Sequence, residues 1–210
     1  MNCFIIALLC YIASAVRPIV NGPTSLNATK CLYEESYPKV AGFVGFNFTG
    51  RKNENAYKNN VNLITAGFMR ENIFVVFRVC ATCGTIQGQW NSFLRSTAHM
   101  QFEHIIFEVR KQYWYSSEIW NRMAFDQLMN VTADYPKSKY LLLNQEEWNS
   151  MFYLDYIVPY TNKFKLIYSV PSGSCSDKYD FIPFAGYNNY AYKYIEHLQT
   201  SCGTSYNILC

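Results

Sequence analysis

The sequence predicts an α/β barrel in a single domain, and three observations point there. Short runs rich in β-branched and aromatic residues alternate with longer segments of helical periodicity between residues 40 and 153. After residue 160 the long helices drop out, and three apolar runs stand between loops. No linker, low-complexity stretch or charge run divides the 210 residues, a length that can bury one substantial core. Repeated βα units that end in bare strands describe a barrel lacking its last helices.

The elements follow in order. Val40 to Phe48 reads as a strand, followed by a helix from Asn53 to Ala66 that stops at Gly67. Asn72 to Val79 is a second strand, because Ile73-Phe74-Val75-Val76-Phe77 is too short and too β-branched for a helix. Gly84 to Thr97 is helical, with Ile86, Trp90 and Leu94 along one face, and Phe102 to Val109 is a third strand. A helix over Ser117 to Ala133 is capped by Ser116 or Ser117 and shows Ile119, Met123, Leu128 and Val131 on its apolar side. Lys139 to Leu143 is a strand and Glu146 to Tyr153 a short helix. Phe164 to Val170, Phe181 to Tyr187 and Thr204 to Leu209 are the closing strands.

Residues 1–15 read as a secretory signal, with an apolar run from Phe4 to Leu9 and a small-residue cleavage site at Ala13-Ser14-Ala15. The domain then spans 16–210, and the chain is expected outside the cell, as a monomer with no membrane span. Signal removal takes Cys3 and Cys10 and leaves Cys31, Cys80, Cys83, Cys175, Cys202 and Cys210, an even set that reads as three disulfides. Zinc would need histidines at ligand spacing, and His99, His104 and His197 are scattered, so no metal and no cofactor are expected. Asn27, Asn47 and Asn130 each open a glycosylation acceptor triplet. A net charge of +3 gives no case for nucleic-acid binding.

Several short motifs occur in a telling order. Cys80-Ala81-Thr82-Cys83-Gly84 follows one strand and Gln112-Tyr113-Trp114 another; Glu146-Glu147-Trp148-Asn149-Ser150-Met151-Phe152 and Phe181-Ile182-Pro183-Phe184-Ala185-Gly186-Tyr187 come later, then Cys202-Gly203. With Asn55-Ala56 and Cys31, this ordered set resembles the nematode and amoeba branch of the family-25 lysozymes. The resemblance implies an irregular TIM-like (β/α)5(β)3 barrel that cleaves the glycan of peptidoglycan, with reactive groups at the C-terminal ends of the strands. It also implies which cysteines are additions to the family pattern, Cys175 and Cys210, and hence the pairs Cys175–Cys210, Cys31–Cys202 and Cys80–Cys83.

The family's acids do not carry over. Its signature is Asp-x-Glu at the end of the fourth strand, with one Asp on the first strand and one near the C-terminus. No aspartate occurs before Asp126. Counting back from Gln112-Tyr113-Trp114 puts the signature on Phe107 and Val109, where Phe107 would set an apolar ring in the sugar site. A shift of one residue puts it on Ile106 and Glu108 instead. The first-strand Asp falls at Asn21 and the last at Asn207. Two-carboxylate glycoside hydrolysis needs an acid and a base or nucleophile, so the chain reads as a lysozyme-like protein without hydrolase activity. It would act by binding a glycan of peptidoglycan or chitin type, or a protein, in innate defence. The enzymatic alternative pairs Glu108 with Asp155.

The remaining candidates have plainer readings. Glu108 sits near Arg110 and Lys111 and suits a salt bridge. Asp177 and Asp180 suit turn caps. Glu34-Glu35 and Glu146-Glu147 are adjacent on helices and point apart. Tyr113, Trp114 and Trp148 are the candidates for stacking on sugar, with closure of the barrel mouth as the competing role. His104 opens a strand and is expected to be packed or partly exposed.

Overall fold

The computed structural model describes residues 17–153, 155–176 and 181–210, with 197–200 as backbone alone. The expected signal segment, Asp177 and Asp180 lie outside the described residues. Eight strands close a barrel in chain order: β1 (Arg17–Val20), β2 (Ala41–Phe46), β3 (Ile73–Arg78), β4 (His104–Glu108), β5 (Ser138–Leu143), β6 (Phe164–Val170), β7 (Tyr192–Ser201) and β8 (Thr204–Leu209). The first seven run parallel, and β8 is antiparallel to both β7 and β1. Each of the first five strands is followed by one helix: α1 (Leu26–Glu35), α2 (Ala56–Ala66), α3 (Ile86–Thr97), α4 (Glu118–Thr132) and α5 (Gln145–Met151). This is the expected (β/α)5(β)3 order.

Local chemistry sets the helix ends. Ser25, Thr85 and Asn144 each accept a backbone N–H from the first turn of α1, α3 and α5. Gly67 ends α2 in the left-handed region at φ 111°, with its N–H returned to Leu63 and Ile64. Ser117 stands at the N-cap of α4, but its hydroxyl makes no capping bond. The Asn121 side chain instead bonds both backbone groups of Tyr115 and the Met151 carbonyl, tying the preceding loop to α4.

Strand alternation divides the apolar residues into two layers. Ile19, Val44, Phe74, Val76, Ile106, Tyr140, Leu142, Ile167, Tyr194 and Leu209 fill the barrel interior. The alternate positions, including Val75, Phe77, Ile105, Phe107 and Leu141, pack outward against Trp90, Phe93, Phe125, Leu128 and Trp148 of the helices.

Two expectations need correction. The apolar side of α4 is rotated: Asn121, Phe125, Leu128, Met129 and Thr132 are buried, whereas Ile119 and Met123 are more than half exposed. Two polar residues hide the true stripe from a count of apolar ones. Phe181 to Tyr187 is not a strand. Ala185 and Gly186 turn at φ 57° and 88°, the Tyr187 N–H reaches back to the Phe184 carbonyl, and a Cβ on Gly186 would meet Ile157 at 2.7 Å. The seventh strand comes later, at Tyr192–Ser201.

All three disulfides join the expected partners. Cys31–Cys202 ties α1 to the β7–β8 turn, Cys80–Cys83 closes the loop after β3, and Cys175–Cys210 ties the loop after β6 to the C-terminus. No helix among the described residues is long and apolar enough to cross a membrane.

Candidate functional site

The alternation that places Ile106 inside the barrel places Glu108 on the same inner side, because the two are two residues apart on β4. Arg78 does the same on β3, following Phe74 and Val76, and is the register partner of Glu108. At the C-terminal ends of the strands these side chains meet Asn21 after β1, Arg110 after β4, Glu196 on β7 and Asn207 on β8.

A continuous polar network results. Asn21 donates to the Asn207 side-chain oxygen at 2.7 Å, and Arg78 donates to the Asn21 oxygen at 2.8 Å. Arg78 Nε donates to one oxygen of Glu108 at 2.9 Å, and Arg110 Nε to the other at 3.0 Å. Arg110 Nη1 donates to Glu196 at 2.5 Å, and the Ser169 hydroxyl shares that same Glu196 oxygen. Glu147 of α5 approaches the same Arg110 nitrogen at 3.9 Å, beyond hydrogen-bond range.

Glu108 is 4% exposed, so its charge is held in a site of low dielectric by two guanidinium groups. Burial works against the Arg110 charge, but Glu108 and Glu196 outweigh it, and the pKa lies above its usual value. The Glu147 carboxyl is pushed above its usual range, first by burial and then by the charges of Glu196 and Glu108, with Arg110 opposing. One of its oxygens is buried without a hydrogen bond. Beneath the network the Tyr194 phenol is raised by burial and by Glu108.

Beside the network, Asn144, Glu147, Tyr168, Ser169, Pro171 and Glu196 line an open pocket of about 300 Å³.

The sequence-derived residues distribute unevenly over this site. Asn21 bonds Asn207 and is joined to Glu108 through Arg78. Phe107 and Val109 do not join them: they face the helix layer, Phe107 against Phe77, Trp90 and Phe164, so it blocks no sugar site. The register that fits the strand parity is the one with Ile106 and Glu108. Asp155 is not a partner for Glu108, because it is exposed and pairs with Arg122 of α4 at 2.7 Å. Trp114 and Trp148 are 5% and 2% exposed and pack on Phe125 and Phe152, which leaves them no face for a ligand. Tyr113 remains half-buried, one ring face stacked on Phe48 at 4.0 Å. His104 is half-buried against Phe74 and bonds the Glu71 carbonyl.

Sequence reasoning sets Glu147 aside as one of two adjacent helix carboxylates and passes over Glu196. The signal for Glu196 is its place two residues after Tyr194, which puts both on one face once β7 is seen as a strand. Among the described residues, the metal-ligating types that gather are Cys31, Glu35 and Cys202, and those two sulfurs are bonded to each other.

No protein-family profile and no curated protein sequence matches the chain. Solved structures do. A lysozyme from Streptomyces coelicolor superposes with a TM-score of 0.67 at 10% identity, covering 91% of this chain and 89% of that one. GHIP, a family-25 glycosyl hydrolase of Streptococcus pneumoniae that participates in host cell invasion, gives 0.60 at 11%, covering 92% and 86%. The CTP1L endolysin gives 0.61 at 14% over 92% of this chain, which spans 64% of that protein's length. The chain therefore has the barrel fold of family-25 lysozymes and endolysins.

Proposed function

We propose that this chain is a secreted protein with a lysozyme barrel that has given up peptidoglycan hydrolysis and acts by binding a glycan of peptidoglycan or chitin type. The observation that carries this is the double arginine clamp on Glu108. A general acid must hold a proton on one carboxyl oxygen, and here each oxygen accepts an N–H from a different guanidinium. The neighbours that should supply the second carboxylate are Ile106, Asn21 and Asn207, and the two amides bond each other. Loss of one general acid or base slows such reactions about 10²- to 10⁴-fold. Loss of both roles brings the rate near background.

The pocket beside the network supports the binding role. The Tyr168 ring lines it beside the carboxylates of Glu146, Glu147 and Glu196, groups of the sort that orient a sugar. A secreted binder of microbial glycan fits innate defence. The test is retention of the oxidised, glycosylated protein on insoluble peptidoglycan and on chitin, together with clearing of a peptidoglycan suspension. Retention without clearing is expected. Neither retention nor clearing would point to a protein ligand instead.

One observation favours a second reading. Glu147 and Glu196 line the same pocket and approach the same Arg110 nitrogen, so their nearest oxygens lie no farther apart than the two distances added, 2.5 and 3.9 Å. Glu147, with its raised pKa, would be the acid and Glu196 the base or nucleophile of a rebuilt hydrolase. Clearing that is abolished by both Glu147→Gln and Glu196→Gln would establish this reading over the first.

A further inference from the structure

A second groove, of about 820 Å³, runs between the loop after β3 and helix α4. Trp120, Met123, Gln127 and Asn130 form its α4 wall, three or four residues apart and so on one stripe. Thr82 and Thr85 lie across from them, with Tyr115 beside Trp120. Trp120 and Met123 are each 56% exposed, and an apolar patch left open on a folded surface marks something that covers it. The lining is not uniformly apolar. Ring faces at one end give way to amide and carboxylate groups at the other, including Asp126, a mixture that suits a saccharide better than an apolar helix.

Asn130, at the polar end, opens the acceptor triplet Asn130-Val131-Thr132. Its side-chain oxygen accepts from the Tyr160 hydroxyl at 2.9 Å, which orients the amide and leaves the nitrogen for substitution. Trp120 lies ten residues back along α4, about 15 Å at the helical rise. That is within reach of a branched oligosaccharide. Neither Asn27 nor Asn47 lines this groove.

We propose that this groove seats the chain's own N-linked glycan, attached at Asn130 and packed along α4 against Met123 and Trp120. Attachment forms a bond from Asn130 Nδ2 to the anomeric carbon of a lipid-pyrophosphate-linked oligosaccharide. The bond from that carbon to the pyrophosphate oxygen breaks, the amide gives up one proton, and the lipid pyrophosphate leaves. Sugar–aromatic contacts are weak in free solution, but a short tether supplies an effective concentration in the millimolar range, enough to fill a weak site. The inference rests on the secretory route proposed above, since that is where such donors are met.

Fluorescence tests it cleanly, because Trp90, Trp114 and Trp148 are buried and Trp120 alone among the four tryptophans is open to a soluble quencher. The Asn27→Gln, Asn47→Gln double variant, secreted from a glycosylating eukaryotic cell, isolates the third acceptor. Mass spectrometry should find Asn130 occupied, and acrylamide quenching of Trp120 should rise after enzymatic removal of the glycan. Trp120→Phe should abolish that rise. Should the double variant not be secreted, the parent chain against Asn130→Gln gives the same comparison. An occupied Asn130 with unchanged quenching overturns the seating. An unmodified Asn130 in a chain glycosylated at Asn27 or Asn47 overturns the site and leaves secretion standing, whereas absence of glycan at all three overturns both.

Discussion

Replacing Glu108 by Gln separates a structural carboxylate from a catalytic one. In the parent, both oxygens accept charge-assisted bonds, from Arg78 at 2.9 Å and from Arg110 at 3.0 Å, and the side chain is 6% exposed. Gln keeps the shape but offers one acceptor and one donor. Its NH2 must then face a guanidinium N–H, so one bond is lost and replaced by a donor–donor contact. Arg110 retains Glu196, whereas Arg78 keeps only the Asn21 oxygen. Removing one partner of a buried ion pair costs about 3–5 kcal/mol. For a domain of this size each kcal/mol moves Tm by about 2–4 °C, so Tm should fall by roughly 6–20 °C. Differential scanning calorimetry of oxidised protein at neutral pH measures it. A carboxylate kept for catalysis is held at a cost to stability, and its removal leaves Tm unchanged or raises it. That outcome would refute the assignment of Glu108 as a clamped structural group.

Other consequences can be checked alongside. Glu147 has a raised pKa, so its proton stabilises the fold below its usual titration range, and that contribution is lost as pH rises through the raised value. Glu147→Gln should therefore be more stable than the parent at pH 7, with the gap closing below about pH 4; an equal gap at both pH values contradicts the shift. Phe107→Ala should cost about 3–5 kcal/mol in denaturant titration while retention on insoluble glycan is unchanged, because the ring packs among helices. Replacing Cys31 and Cys202 by Ser opens a link across 171 residues and should cost about 3–5 kcal/mol.

The fold was legible where residue type and spacing agreed. Ile73 to Phe77 is an unbroken run of β-formers, and Gly67 ends a helix by chemistry that reads directly from the letters. β7 was not legible, because Tyr192-Lys193-Tyr194-Ile195-Glu196 places charge beside apolar residues; Lys193 is nonetheless buried, its amine donating to the Ser174 carbonyl. Missing β7 meant missing Glu196, and with it the meaning of Glu147. Those two meet only through barrel closure, 49 positions apart in the chain. Strand parity, by contrast, was available. Glu108 and Arg110 lie two apart and share a side, which opposes Phe107 and Val109. Trp114 and Trp148 show the converse limit: a large aromatic after a strand reads equally as platform or plug, and only neighbours such as Phe125 and Phe152 decide for plug.

Clearing of a peptidoglycan suspension by the oxidised parent chain, beside an active lysozyme of the same fold, tests the central claim most directly. A chain whose Glu108 is clamped by Arg78 and Arg110, with the amides of Asn21 and Asn207 bonded to each other beside it, should leave turbidity at the level of buffer. Clearing at a rate near that of the active lysozyme would contradict it.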